Sequence, residues 1–416
     1  MISVCFKNEK KISWGQLFLA LVFVTYPLRE SFSIRLGPQS YLRFGEIIFF
    51  LSPLFSLLIK DYSLVRTNIS KYIFFFSIYA IVFGFLLGTI VNSSYAFLFI
   101  GRSFFICSFI YIFDKLNIKI EQKFFSQLFK YIVVLEAFFF LLQFIGWNIV
   151  AMQIIPFSPD KVWGVTRLQG TASEPGYLVP IIAPCFYFFL VQWQNNKLFS
   201  CLSGLELILT FSSFAFFAFF VIVFLALCLK NNRLSIVKAI NTLLVIFIAV
   251  FFMYVSSSKA SFIIDNFTTK VLSSVIENQN EIDWSAAERN ENKTVALAAF
   301  KKMPFEKQIF GMGLGATQYY TETGVKWYFP AQEAHCAYLA MLINIGVVGF
   351  ALFLRIFFKL IKIKSKDVYS NALFCGVVIQ ILQFFIVGNI WLYFLWFNIG
   401  MIILIAKNKY SEEAFV

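Results

Sequence analysis

The stretch HCAYLAMLINIGVVGFALFL, His335 to Leu354, decides the fold class. It opens on the chain's single histidine and continues in apolar, aromatic and small residues, with Asn344 as its one amide. About twenty such residues in an α-helix cover the hydrocarbon core of a bilayer. A polar segment, roughly Ser256 to Ala334, precedes it, and Arg355, Lys359, Lys362, Lys364 and Lys366 follow. An apolar run with water on one side and cations on the other is the pattern of a membrane-crossing helix. A ring that titrates near neutrality at this boundary either marks a helix start or takes part in chemistry at the membrane surface.

The same unit recurs along the chain. Hydrophobic residues make up 60% of the 416 positions and charged residues 14%, against roughly half and about a quarter in soluble domains. About twelve spans are expected: 14–28, 45–59, 72–91, 95–113, 131–150, 177–192, 198–212, 214–229, 239–255, 335–354, 370–387 and 389–406. The pair around Ser212-Ser213 is short and reads either as two spans or as one broken hairpin. The reading is therefore all-α, a polytopic membrane protein forming a single integral membrane domain over 1–416.

Charge supports this order. The net charge of +13 gathers in short clusters such as Lys7, Lys10 and Lys11, or Lys115, Lys119, Lys123 and Lys130. These clusters fall in alternate connections, so the positive-inside rule puts both termini in the cytoplasm. No soluble segment interleaves basic and aromatic residues, so nucleic acid is not an expected partner. Lys7 to Lys11 before an apolar run resembles a signal sequence. No small-residue cleavage site follows, and an uncleaved first span is expected. The cysteines, Cys5, Cys107, Cys185, Cys201, Cys228, Cys336 and Cys375, form no CxxC pair. With one histidine, neither a metal site nor a disulfide framework is indicated.

Two external connections are long enough to carry function, 151–176 and 256–334. The first contains RLQGTASEPGY, Arg167 to Tyr177, in which Gly and Pro permit tight turns and Arg167 and Glu174 supply opposite charges. Arg167 suits a bidentate grip on phosphate, or a salt bridge to Glu174 that pins the loop. In the second, Ile264, Phe267, Val271, Leu272, Val275 and Ile276 recur at the spacing of an amphipathic surface helix. Another helix is expected from Trp284 to Met303, with an apolar patch at Val295, Ala298, Ala299 and Phe300, stopped by Pro304. It carries Arg289, a second candidate anion ligand or a solvated residue. Gly311, Gly313 and Gly315 at alternate positions predict a flexible turn, because no strand precedes them. Glycines at 346 and 349 predict close helix packing. Arg102 lies mid-span, where a charge must be paired or hydrated. Glu136 and a substrate diphosphate are the candidate partners.

An Arg-led glycine turn, then a second Arg, then His335 before a Gly-x-x-Gly span resembles the O-antigen polymerase and O-antigen ligase superfamily. The resemblance covers essentially the whole chain. The ligase branch has His, a polar residue, nine residues and Gly-x-x-Gly; here nine residues separate Cys336 from Gly346. Cys336 departs from the usual amide or hydroxyl. Ser212-Ser213-Phe214 stands where ligases carry an Arg, while Arg167 through Glu174-Pro175 resembles the polymerase loop. The polymerase spacing from Arg to Gly is not met, since Leu178 and Phe300 occupy those places. The polymerase branch is favoured.

The resemblance implies a bacterial inner-membrane glycosyltransferase working on its periplasmic face, without metal or other cofactor. Its substrates would be undecaprenyl-diphosphate-linked oligosaccharides in membrane lipid, and a polysaccharide chain-length regulator would be a partner. Arg167, Arg289 and Arg102 become the expected substrate ligands, with His335 or Glu174 as catalytic base. A ligase acting on lipid A–core, or a transporter of the lipid-linked unit, are the other readings. The chain shows no internal repeat of the transporter kind.

Overall fold

The computed structural model describes residues 13–28, 33–35, 41–59, 67–86, 93–116, 118, 122–146, 161–162, 165–172, 174–228, 284–314, 336–364, 366–387, 390 and 392–413. Among these, thirteen α-helices run in the order α1 Trp14–Leu28, α2 Phe44–Leu58, α3 Ile69–Leu86, α4 Ser93–Lys115, α5 Gln122–Ile145, α6 Pro175–Val191, α7 Lys197–Leu209, α8 Ser213–Cys228, α9 Trp284–Lys302, α10 Phe305–Phe310, α11 Ala337–Ile363, α12 Val368–Gln383 and α13 Tyr393–Glu413. Two small antiparallel hairpins interrupt them: β1 Ser33–Arg35 with β2 Tyr41–Arg43, and β3 Lys161–Val162 with β4 Val165–Thr166. The expected ninth span and the amphipathic helix over Ile264 to Ile276 lie outside the described residues.

Most of these helices are apolar on nearly every face, as membrane helices are, while α9 is largely polar. Lys123–Ile145 and Ala337–Ile363 are long enough to cross a bilayer, with mean hydropathies of 2.0 and 2.2; seven further apolar helices among the described residues are shorter. Their outward side chains include Leu57, 78% exposed, with Phe75, Phe104 and Phe358 similarly open. In water such a surface would drive aggregation; in a bilayer it meets lipid. This is the make-up of a polytopic membrane protein.

One core runs through the bundle, from Phe18 on α1 to Leu404 on α13. Helix α12 packs along α6, α4 along α2, and α11 along α3. The lysine-rich end is stapled by polar contacts. The Asp114 carboxylate accepts from the Thr67 N–H, the Thr67 hydroxyl and the Ser70 hydroxyl, each at 2.8 Å. Lys407, 3% exposed, donates to the Asp114 and Leu116 carbonyls at 2.8 Å. An ammonium on the last carbonyls of α4 satisfies groups that the helix itself cannot, and complements its dipole.

Helix boundaries differ from the expected spans in two instructive places. Helix α5 begins at Gln122 rather than 131, because Phe124, Phe125, Leu128 and Phe129 bury a helical stripe between the charges. Helix α11 continues to Ile363, since Ile356, Phe357, Leu360 and Ile363 extend the buried face past Arg355.

Gly346 does not serve ordinary helix packing. It breaks α11 with φ 67° and ψ −175°, a conformation natural to glycine. The break frees carbonyls that would have bonded within the helix. Ile343 accepts from the Met312 N–H at 2.8 Å and Asn344 from the Gly313 N–H at 3.1 Å. The Tyr79 hydroxyl lies 3.3 Å from the Ile345 carbonyl and 3.4 Å from that of Phe310. A Cβ on Gly346 would overlap the Ile309 carbonyl, and one on Gly311 that of Asn344. The segment 311–314, expected to be flexible, is thus buried and pinned; Gly315 lies outside the described residues.

Helix α9 forms where expected and ends before Pro304, but its apolar face is turned by about one residue. Ala296, Ala299 and Met303 pack on Met312, Ala340 and Ile343. Of the expected patch, Ala299 is buried and Phe300 packs on this cluster, whereas Val295 and Ala298 lie partly exposed.

Replacing Gly346 by Ala should lower the apparent melting temperature in detergent by several degrees, because the strained backbone and the overlap together cost about 1–3 kcal/mol. Tyr79→Phe, which loses one shared hydrogen bond worth about 1 kcal/mol, should lower it less. Equal or absent shifts in size-exclusion thermostability would argue against the clamp.

Candidate functional site

The loop of Arg167 is built from α5 upward. Gln143, buried in the last turns of α5, receives the Gln169 and Gly170 N–H groups on its Oε1 at 3.1 and 3.0 Å. Its Nε2 donates to the Gly170 carbonyl at 2.9 Å. One amide side chain thereby replaces a strand partner for two loop residues. About two turns earlier, the buried Glu136 carboxylate accepts from both the N–H and the hydroxyl of Thr171. Gly170 sits at φ 58° directly over it, where a Cβ would overlap the carboxylate.

The loop also covers a short hairpin. Helices α7 and α8 are two separate helices joined by Thr210, Phe211 and Ser212, with Phe211 at φ 45°. A thirteen-residue α7 spans only about 20 Å, less than the hydrocarbon core of about 30 Å. Its carbonyl end therefore falls short of water, and the Leu168 N–H caps Leu209 at 3.2 Å. Arg167 stands at the start of this capping strand and is partly buried.

Glu174 occupies the N-cap position of α6 in extended conformation, exposed, with no side-chain capping bond. Among the described residues it makes no ion pair with Arg167, so the loop is pinned by Gln143 and Glu136 instead of by a salt bridge across it. Just beyond it, the Gly176 carbonyl accepts from Gln383 Nε2 at 2.8 Å. The neighbouring residues of that segment hold the start of α11: the Ala337 N–H lies 2.9 Å from the Phe384 and Val387 carbonyls. Tyr338 adds a 2.6 Å bond to the Ile381 carbonyl. The chain around Glu174 and the chain around Cys336 thus meet on one short stretch, 381–387.

His335 itself lies outside the described residues; its neighbour Cys336 is buried at this junction. Arg289 belongs to α9, about two turns before the buried Ala296, and its side chain is also outside the described residues. Arg102 does not pair with Glu136, one of its two candidate partners. It pairs with Glu46 across α2 and α4 at 3.6 Å, and Glu136 is engaged by the Thr171 loop. The side chains of the pair are 35% and 20% exposed, so the cation is paired without being sealed inside the bundle.

Sequence reading passed over Gln143, Gln383 and Tyr79. The signal was present: a polar group inside an apolar span must find a partner, and is a functional candidate by default. Glu206, buried on α7, belongs to the same class.

These features define a helical membrane protein in which a clamped loop and the start of α11 meet at one end of the bundle. Residues 198–354 match the model of a family described as O-antigen ligase. The match supports the O-antigen ligase and polymerase superfamily and does not distinguish its two branches. It runs from α7 through the Gly-x-x-Gly of α11, and so includes the clamp at Gly346. No curated protein matches the chain.

Gln143→Leu should free the loop while leaving α11 in place. Amide hydrogen exchange over 168–172 should quicken by about tenfold or more, the factor for about 1.4 kcal/mol of lost hydrogen bonding. Exchange over 384–387 should stay unchanged. Equal protection of the loop in the variant would show that Gln143 does not hold it.

Proposed function

We propose that this protein is an O-antigen polymerase, joining undecaprenyl-diphosphate-linked oligosaccharide repeat units on the periplasmic face of the bacterial inner membrane. The observation that supports it is the meeting of the Arg167–Glu174 loop and the start of α11 on residues 381–387. A site made from both external connections can hold a donor and an acceptor together.

In this reading a sugar hydroxyl of the acceptor attacks the anomeric carbon of the donor glycan. The new glycosidic C–O bond forms as the bond to diphosphate breaks, and the polyprenyl diphosphate leaves with the electron pair. Diphosphate is already a good leaving group, so the demand is to hold its negative charge and remove the hydroxyl proton. Arg167 and Arg289 would grip the diphosphate, and His335 or Glu174 would take the proton. In-line displacement inverts the anomeric configuration. No metal is required by this scheme, and a chain-length regulator would act from outside the site. Arg102, paired with Glu46, stays a candidate diphosphate ligand beside its structural role.

The family description favours a second reading, transfer of the finished glycan to lipid A–core. Deleting the gene separates the two on a gel of lipopolysaccharide: the polymerase reading expects single repeats on the core, and the ligase reading expects bare core. At matched expression, His335→Ala, Arg289→Ala and Arg167→Lys should each abolish long-chain product, the last because lysine keeps the charge but loses the planar fork. Undiminished ladders in any of the three would remove that residue from the mechanism.

A further inference from the structure

We propose that a groove between α2, α3 and α4, at the lysine-rich end of the bundle, binds an anionic glycerophospholipid of the leaflet at that end. The groove is a partly open cavity of about 500 Å³. That lies within the roughly 300–1,000 Å³ of small-molecule sites. It holds no residue of the site proposed above, so its fate is independent of that reading.

Its polarity is graded along its length. Asn68, Ser70, Lys71, Asp114 and Lys115 form one end, and Pro53, Phe74, Phe104 and Cys107 line the rest. On α4 the lining residues Phe104, Cys107, Ser108, Tyr111 and Lys115 follow helical spacing and so share one face. From Phe104 to Lys115 that face is about 16 Å long. This is about half of a hydrocarbon core of some 30 Å, the depth of a single leaflet.

Three polar side chains of this wall, Ser56, Cys107 and Ser108, already have protein partners, the Ser56 hydroxyl donating to the Pro53 carbonyl at 2.7 Å. The Ser108 hydroxyl donates back to the Phe104 carbonyl at 3.0 Å, and Cys107 Sγ lies 3.3 Å from Ser77 Oγ on α3. Phe74, Phe104 and Leu57 are more than half exposed beside it, and so open the groove to the acyl region.

The polar end carries two cations and one anion. Thr67 and Ser70 hold the Asp114 carboxylate in place, and with its charge set against those of Lys71 and Lys115 this end of the groove is positive by one unit. Lys71 is exposed, and the Lys115 ammonium lies 4.1 Å above the Tyr111 ring. A phosphodiester at this height completes the charge while its acyl chain descends along α4. The positive-inside rule assigns this end to the cytoplasmic leaflet.

The test uses the intact protein in phosphatidylcholine nanodiscs, with trace spin-labelled phosphatidylglycerol or phosphatidylcholine read by the immobilised fraction. Wild type should prefer the phosphatidylglycerol label by about fivefold, the factor for one net positive charge, two lysines less Asp114, near a headgroup. Lys71→Gln with Lys115→Gln should bring the ratio close to one. Ser108→Trp, which fills the groove, should lower the immobilised fraction of both labels. Lys71→Glu alone alters an exposed side chain and should also reduce the preference, which keeps the test open should the double variant misfold. Absence of preference in wild type, or its survival in either lysine variant, overturns the proposal. So does its abolition by excess inorganic phosphate, which would assign the cations to a soluble anion. A dimer that cross-links through Phe104 and excludes lipid would give the groove to a second copy and overturn it as well.

Discussion

A broken helix in an apolar surrounding must find donors for the carbonyls it frees, and the break at Gly346 organises much of this molecule. Each unsatisfied carbonyl in lipid costs several kcal/mol, far more than the cost of holding a loop in place. The donors come from the Met312 and Gly313 amides and from the Tyr79 hydroxyl. One local event therefore ties α11 to α3 and to the end of the 284–314 segment. The stacking of Phe83 on Phe310, at 5.5 Å between ring centres, closes the same contact from the side. The turn reaches about 14 Å inward from Ala337, so the polypeptide outside the helices is part of the bundle at this point.

Much of this architecture was legible from the residues. Alternating apolar runs and cation clusters located most helices, and Pro304 marked the end of α9 correctly. What escaped were features that depend on a neighbour. Arg355 looked like the end of a span, yet the buried stripe of Ile356, Phe357 and Leu360 carries α11 onward. The glycines of 311–313 looked mobile because their partner carbonyls exist only once Gly346 breaks a helix at a distance in sequence. Glycine content gives freedom to a backbone; only tertiary contact determines whether that freedom is used for motion or for a tight approach.

The candidate site shows the same division. The loop from Arg167 to Glu174 could be picked out by its turn residues and charges, and it folds beside the start of α6. Its fastening could not be picked out, because Gln143 and Glu136 lie more than twenty positions upstream inside an apolar run. Arg102 announced a need for a counter-charge, and periodicity within its own helix carries no record of which acidic residue faces it. Glu46 and Glu136 were equally available in sequence. Packing of α4 against α2 decided between them.

A common device unites both ends of the bundle. Gln143, Glu136, Gln383, Asp114 and Lys407 are polar side chains on helices, and each bonds backbone or hydroxyl groups in a connection or at the end of a neighbouring helix. Helices are the rigid part of such a protein, so a loop fastened this way inherits their rigidity. For a reaction that relies on holding charge and orienting a hydroxyl, that inheritance matters more than the identity of any single ligand. A guanidinium on a mobile loop would have to be ordered at the moment of reaction, whereas one carried on a clamped loop is ordered when the protein folds. The position of Arg167, beside a segment fixed by Gln143, Glu136 and the Leu209 carbonyl, meets that physical requirement.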